Sequence, residues 1–187
     1  SLMKFINFLI IIFITFPSMI KADSLKQLEK ELLEGDKLIF IRHAYAPGGG
    51  DPDNFDINDC NTQRNLSDRG KKQAHKIKNF FIENKIQNNV VFSSEWCRCK
   101  ETASLAFGKF ETKKFLNSFY SSKFAKNRIK QIKDLKRYIE SFDDNKNLIF
   151  VTHYVVISEV LDYAPSSGEI VISDKNFNKI GSIKISY

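Results

Sequence analysis

Four apolar residues in a row, Leu38-Ile39-Phe40-Ile41, run straight into Arg42-His43 and then into a loop with three consecutive glycines, 48–50. A second run, "NLIFVTH" (147–153), has the same shape and ends at His153. A strand with one wet face alternates apolar and polar positions, whereas one buried on both faces reads as a continuous apolar run. Both segments therefore predict strands inside a sheet covered on two sides, each stopping where its polar residues begin. "NVVFSS" (89–94) predicts a further buried strand, and "KKFLNSF" (113–119) another.

Between these runs the apolar spacing changes to that of helices. Residues 25–33 predict a short helix ended by Gly35. "NLSDRGKKQAHKIKNFFIENK" predicts a helix with Ser67 as its N-cap, because a serine hydroxyl accepts from the free N–H groups of a first turn. "EWCRCKETASLAFG" predicts a helix closed by Gly108, with Trp96, Cys99, Ala103 and Ala106 as its apolar stripe. Residues 124–142 predict a long helix with Ile129, Ile132, Leu135, Ile139 and Phe142 inward and Lys126, Lys130, Lys133 and Lys136 mostly outward. "YVVISEVLDY" predicts one more helix, and "GEIVIS" and "KIGSIKIS" a closing hairpin across "DKNFN". Strands separated by helices imply β-α-β units. The expected fold class is thus α/β, a three-layer α/β/α sandwich with a mostly parallel sheet and an antiparallel edge strand.

The beginning of the chain follows a different pattern. A lysine, an apolar run over 5–16, then Pro17 and a small residue at Ala22 have the layout of a secretory signal peptide. The run falls short of the roughly 20 residues a membrane span needs. The expectation is a signal over 1–22, with Ser1-Leu2 ahead of Met3 as an appended remnant, and a single domain over 23–187. Export to the periplasm or beyond would place Cys60, Cys97 and Cys99 in an oxidising compartment. Cys97 and Cys99, two apart on a helix, point in nearly opposite directions, so either of them with Cys60 is the expected disulfide. The absence of C-x-x-C spacing disfavours zinc. The 187-residue chain carries +7, and the part after residue 22 has 27 basic against 22 acidic residues, or +5. This basic excess suits anionic partners of several kinds.

In open parallel sheets, ligands bind beyond the carboxyl ends of the strands. Arg42 and His43, Arg98 and His153 would all be delivered to that edge. Arginine presents a permanently charged planar fork matched to phosphate oxygens. Arg98 would also lie in the first turn of a helix, where the free N–H groups and dipole favour an anion. A neutral imidazole in line with a bound phosphorus can attack it to form a phosphohistidine. The glycines let the adjoining loop bend around a substrate. They do not form a P-loop, since no G-K-[ST] follows. His75, mid-helix among lysines, reads as a surface residue.

The segments "FIRHA", "SSEWCRCKETA" and "FVTH", in that order, resemble the signatures of the histidine phosphatase superfamily (phosphoglycerate-mutase-like, branch-1-like). "NLSDRGKKQA" resembles the intervening L-[ST]-x-x-G-x-x-Q-A segment of that family. The resemblance spans residues 37–155. It implies His43 as the phosphorylated nucleophile, Arg42 and Arg98 as the phosphate clamp, and His153 completing the pocket. It further implies neither metal nor organic cofactor.

One family feature is missing. Many relatives carry a glutamate after the third strand that protonates the leaving group, but "FLNSFYSSKF" has no acid. Glu95, one turn before Arg98, is the first candidate for that role; Asp51, Asp53, Asp56 and Asp59 are the others. The expectation is a secreted phosphatase acting on a small phosphorylated substrate. A phosphomutase of the same fold and a non-catalytic binder of an anionic phosphate ligand are the rival readings. Nucleic-acid binding lacks a recognition motif or stacking aromatics.

Overall fold

The computed structural model describes residues 18–187, with side chains from residue 24. The expected signal over 1–22 lies almost wholly outside the described residues. Helix α1 (Ser18–Glu34) leads into strand β1 (Leu38–Arg42), and α2 (Asp68–Glu83) precedes β2 (Asn89–Ser93). Helix α3 (Cys97–Phe107) is followed by the two-residue strand β3 (Glu111–Thr112), then α4 (Ser122–Ala125) and α5 (Arg128–Ser141). Strand β4 (Asn147–Thr152), helix α6 (Tyr154–Leu161) and the strands β5 (Ile170–Ser173) and β6 (Lys179–Ile183) complete the chain. No helix among the described residues is long and apolar enough to cross a membrane.

The six strands form one sheet in the order β3-β2-β4-β1-β5-β6. β3, β2, β4 and β1 run parallel, while β5 pairs antiparallel with both β1 and β6. The sheet is buried on both faces because its two central strands carry unbroken apolar runs, residues 38–41 and 148–151. On one face Ile39, Ile41, Ile149 and Val151 pack with Leu32 of α1, Ile77 and Phe81 of α2, and Ala103 of α3. On the other, Leu38, Phe40, Leu148 and Phe150 pack with Leu135 and Ile139 of α5 and Val156 and Ile157 of α6. This is the expected three-layer sandwich.

The helix boundaries follow the predicted signals. The Ser67 hydroxyl accepts from the Gly70 N–H to cap α2, and Gly108, at φ +75°, closes α3. Gly35 ends α1 at φ +80°, where an added Cβ would lie 2.2 Å from the Asn145 carbonyl oxygen. The predicted stripe of α3 is buried in full, and His75 is exposed.

Two expectations are corrected. Residues 113–119 do not form a strand: the ladder to β2 ends near Lys113, and Lys114–Leu116 turn as a 3-10 helix. Leu116 and Phe119, three apart, are both buried, and the Thr152 hydroxyl takes the Leu116 carbonyl, so a strand's alternation is lost. The long helix over 124–142 is broken at 126–127, and Ile129 is 74% exposed instead of inward. Its buried face is Gln131, Leu135 and Ile139, with Gln131 donating to the Asn117 carbonyl. Ile129 stands six residues ahead of Leu135, about 120° around the helix from that stripe.

Candidate active site

The carboxyl ends of β1, β2 and β4 lie side by side, and the polar residues beyond them are held by continuation of the ladder. His43 N–H donates to the Thr152 carbonyl and Ser94 N–H to the Val151 carbonyl, each at 2.9 Å. The turn after His43 is fixed from α2 and α3. Ala44 N–H donates to the Thr102 hydroxyl (3.0 Å), and Tyr45 N–H to Gln73 Oε1 (2.9 Å). At Gly70 a Cβ would sit 2.0 Å from the Tyr45 carbonyl oxygen. This packing gives the glycine and glutamine of "NLSDRGKKQA" their structural role: they let α2 press on the backbone two residues past His43.

The structure brings His43, Arg98 and His153 together, almost wholly buried, with Arg42 beside them. The His43 and His153 rings meet edge-on, centroids 5.6 Å apart. His43 Nδ1 lies 2.9 Å from the Ala44 carbonyl, which only an N–H can satisfy, so Nδ1 carries the proton and Nε2 keeps its lone pair. Arg98 Nε donates to that Nε2 at 3.2 Å. Burial first, and then the Arg98 charge, push both imidazoles well below their usual basicity. Both are therefore neutral near pH 7, which is the form a nitrogen nucleophile needs.

Arg42 Nη1 donates to the Pro165 carbonyl (2.9 Å), and its guanidinium sits 5.3 Å from the centre of the Tyr154 ring. Its buried Nε has no partner among the described residues. Arg98 directs both terminal nitrogens at Asp51, with Nη1 to Oδ1 at 2.7 Å and Nη2 to Oδ2 at 3.3 Å. Asp51 also accepts from Trp96 Nε1 (3.0 Å) and from the Arg64 backbone N–H (3.1 Å). Burial raises the Asp51 carboxyl, but the bonds from Arg98, Trp96 and Arg64 outweigh it and hold the group below the ordinary range.

His153 Nε2 lies 2.9 Å from the Ser94 hydroxyl, which donates to Asn117 Oδ1 at 3.2 Å. Asn117 Nδ2 in turn donates to Glu95 Oε2 at 2.6 Å, and Glu95 N–H donates back to Asn117 Oδ1 at 2.9 Å. The structure thus places the Glu95 carboxylate at the far end of a chain leading to His153. Asp53, Asp56 and Asp59 lie in the same long loop as Asp51, where Asp56 and Asp59 accept from backbone N–H groups of that loop.

Cys60 and Cys97 form a disulfide, Cα atoms 5.7 Å apart, which ties the loop to the first residue of α3. Cys99 is free and buried, its thiol pushed up to about 12 mainly by burial. The bond settles which of the two helix cysteines pairs with Cys60. Gln63 reinforces it by accepting from the Cys97 N–H at 2.9 Å. Arg64 pins the loop by donating to the carbonyls of Gly50 (2.8 Å) and Ala46. Gln63, Arg64, Ser94 and Asn117 were not candidates from the sequence. No group of three or more His, Cys, Asp or Glu side chains that could hold a metal occurs among the described residues.

No protein-family model and no curated protein sequence matches the chain. Solved structures do. A candidate phosphohistidine phosphatase, SixA, from Agrobacterium tumefaciens is 15% identical with a TM-score of 0.57, over 80% of this chain and 98% of that one. A candidate alpha-ribazole-5'-P phosphatase from Escherichia coli is 14% identical at TM-score 0.57, over 81% and 96%. A phosphoglycerate mutase from Thermus thermophilus is 15% identical at TM-score 0.55, over 80% and 99%. These neighbours are members of the histidine phosphatase superfamily, and this chain has their phosphoglycerate-mutase-like α/β fold.

Proposed function

We propose that the chain is a metal-independent phosphatase that hydrolyses a small phosphorylated substrate through a phosphohistidine on His43, and that it works outside the cytoplasm. The observation that carries this reading is the orientation of His43. Its Nδ1–H is anchored on a backbone carbonyl, and its unprotonated Nε2 accepts from the Arg98 guanidinium. A buried neutral nitrogen aimed at a buried cation suits attack on a phosphorus held by that cation. The unpartnered Nε of Arg42 offers a second donor to the same anion. The Cys60–Cys97 pairing supports an oxidising compartment.

In the first half-reaction Nε2 forms a bond to phosphorus as the bond to the leaving oxygen breaks. In the second, water attacks the phosphohistidine and the N–P bond breaks, releasing phosphate and restoring neutral His43. Arg42 and Arg98 would offset charge on the equatorial oxygens in both steps. His153 is held from its far side by Ser94, so it keeps a fixed orientation against His43. Glu95 takes part in that support through Asn117. The test is phosphate release by the protein from residue 23 onward over a panel of phosphorylated metabolites. Turnover that disappears in His43→Ala supports the reading. Turnover that persists in the variant refutes it, as does phosphate binding without any hydrolysis.

A further inference from the structure

Arg98 cannot grip a phosphate in the arrangement just described, because its fork is already taken by Asp51 through two hydrogen bonds. Its Nε is on His43, and Nη1 also reaches the Arg64 carbonyl at 3.3 Å. An anion arriving at the fork must therefore displace a partner, and Asp51 is the movable one. Its side chain is 16% exposed against 4% for Arg98. It lies in the glycine-rich loop next to Gly50, which has φ +68° and open space where a Cβ would be.

Asp51 also borders open space. With Pro52, Phe55, Ser118, Tyr120 and Phe124 it lines a cavity of about 340 Å³ that opens between the loop and the segment before α4. The carboxylate thus stands between the His43–Arg98 pair and the space beside the site. A phosphate seated on Arg98 would project its leaving group into that space, past Asp51.

We propose that Asp51 is the proton donor to the leaving group, freed for that role when the phosphate of the substrate takes its place on Arg98. This inference rests on the phosphatase reading. The exchange explains how a carboxylate paired with arginine becomes an acid: the phosphate removes the favourable cation and puts a like charge beside it. A phosphomonoester loses its second proton near pH 6, so the ester arriving as its monoanion brings the proton Asp51 needs. In the first half-reaction that proton passes from Asp51 to the leaving oxygen as the P–O bond breaks. In the second, the attacking water returns a proton to Asp51 as the N–P bond breaks. Glu95 is the other carboxylate near the site, but its carboxylate is engaged by Asn117 rather than by the phosphate clamp.

The test compares phenyl phosphate with p-nitrophenyl phosphate. Phenolate, a base comparable to tyrosinate at about 10, needs a proton on departure, and p-nitrophenolate needs it far less. Trapping of the phosphoenzyme accompanies each assay. In kcat/KM, which reports only the steps through departure of the leaving group and not the shared hydrolysis of the phosphoenzyme, we expect Asp51→Asn to lose roughly 100-fold or more on phenyl phosphate, the scale of general-acid catalysis, and less than about 5-fold on p-nitrophenyl phosphate. Wild type should turn over the two at comparable rates. Equal losses on both substrates would overturn the proposal, since a merely structural role cannot tell leaving groups apart. A steep preference of the wild type for p-nitrophenyl phosphate would also overturn it, and requires no variant to fold. The selective loss appearing in Glu95→Gln instead would assign the role to Glu95. Absence of any phosphoenzyme in wild type would count against the phosphatase reading itself.

Discussion

Lowering the pH should destabilise this protein through the two buried histidines of the candidate site. His43 and His153 are 3% and 2% exposed, and burial together with the Arg98 charge keeps both neutral in the folded state. Once unfolded, each imidazole binds a proton with a pKa of about 6.5. The unfolded chain then holds more protons than the folded one, so stability rises with pH. This stability is fully present above about pH 6.5 and is lost as pH falls toward the depressed folded-state values. Each histidine contributes a slope of about 1.4 kcal/mol per pH unit in that window, or about 2.7 for the two. Each pH unit within that window thus removes a large share of the roughly 5–15 kcal/mol that holds a typical domain together. Urea midpoints measured between about pH 8 and pH 5 give the slope directly, above the range where carboxylates such as Asp51 begin to take up protons. His43→Gln should halve the slope, and His43→Gln with His153→Gln should flatten it. An unchanged slope in the double variant would show that these imidazoles are not held neutral, and the case for a neutral nucleophile would fall with it.

Two further perturbations probe how the site is held. Reducing the Cys60–Cys97 bond opens a loop whose ends are 37 residues apart. The chain-entropy relation gives about 4 kcal/mol for a closure of that size. The denaturant midpoint should drop accordingly, and activity should fall with it, because the bond joins the loop bearing Asp51 and Arg64 to the residue before Arg98. An unchanged midpoint with both thiols shown to be free would contradict this. Gly70→Ala places a methyl group 2.0 Å from the Tyr45 carbonyl oxygen. Forcing that contact should cost about 1–3 kcal/mol and reduce phosphate turnover through displacement of the turn after His43. A melting temperature and rate equal to wild type would show that α2 does not set this turn.

The parts of the fold that could be read from the sequence are those where one physical rule acts alone. β1 and β4 are buried on both faces, so their apolar runs and the polar residues that end them mark the sheet edge without ambiguity. His43, His153 and Arg98 follow from that edge, since each sits within a few residues of a strand end or in the first turn of a helix. The α3 stripe and the Ser67 cap are equally local. The failures came where tertiary contacts decided. Lys113–Phe119 carries strand-like composition, yet Leu116 and Phe119 are drawn into the core from a turn, with the Thr152 hydroxyl fixing the backbone. Ile129 looked inward by spacing, but Gln131 holds the buried position through its bond to Asn117.

The Asp51–Arg98 pair joins residues 47 apart through a loop without periodicity. The sequence could only place Asp51 among four aspartates of equal standing. Arg64 and Gln63 precede a recognised segment, and their side chains turn back on the loop instead of joining α2. Ser94 and Asn117 act through hydrogen bonds to His153 and Glu95, a relation no spacing rule reveals. The loop brings Asp51 and Arg64 against Arg98, and it is tied down by a disulfide whose partner choice the sequence left open.

Everything proposed for this site depends on a covalent bond between phosphorus and one nitrogen. Brief incubation with a radiolabelled aryl phosphate, followed by peptide mapping under conditions that preserve acid-labile phosphate, measures it directly. The expected result is a single phosphoryl group on His43, absent together with turnover in His43→Ala. Label on a different side chain, or none while phosphate continues to be released, would contradict the account.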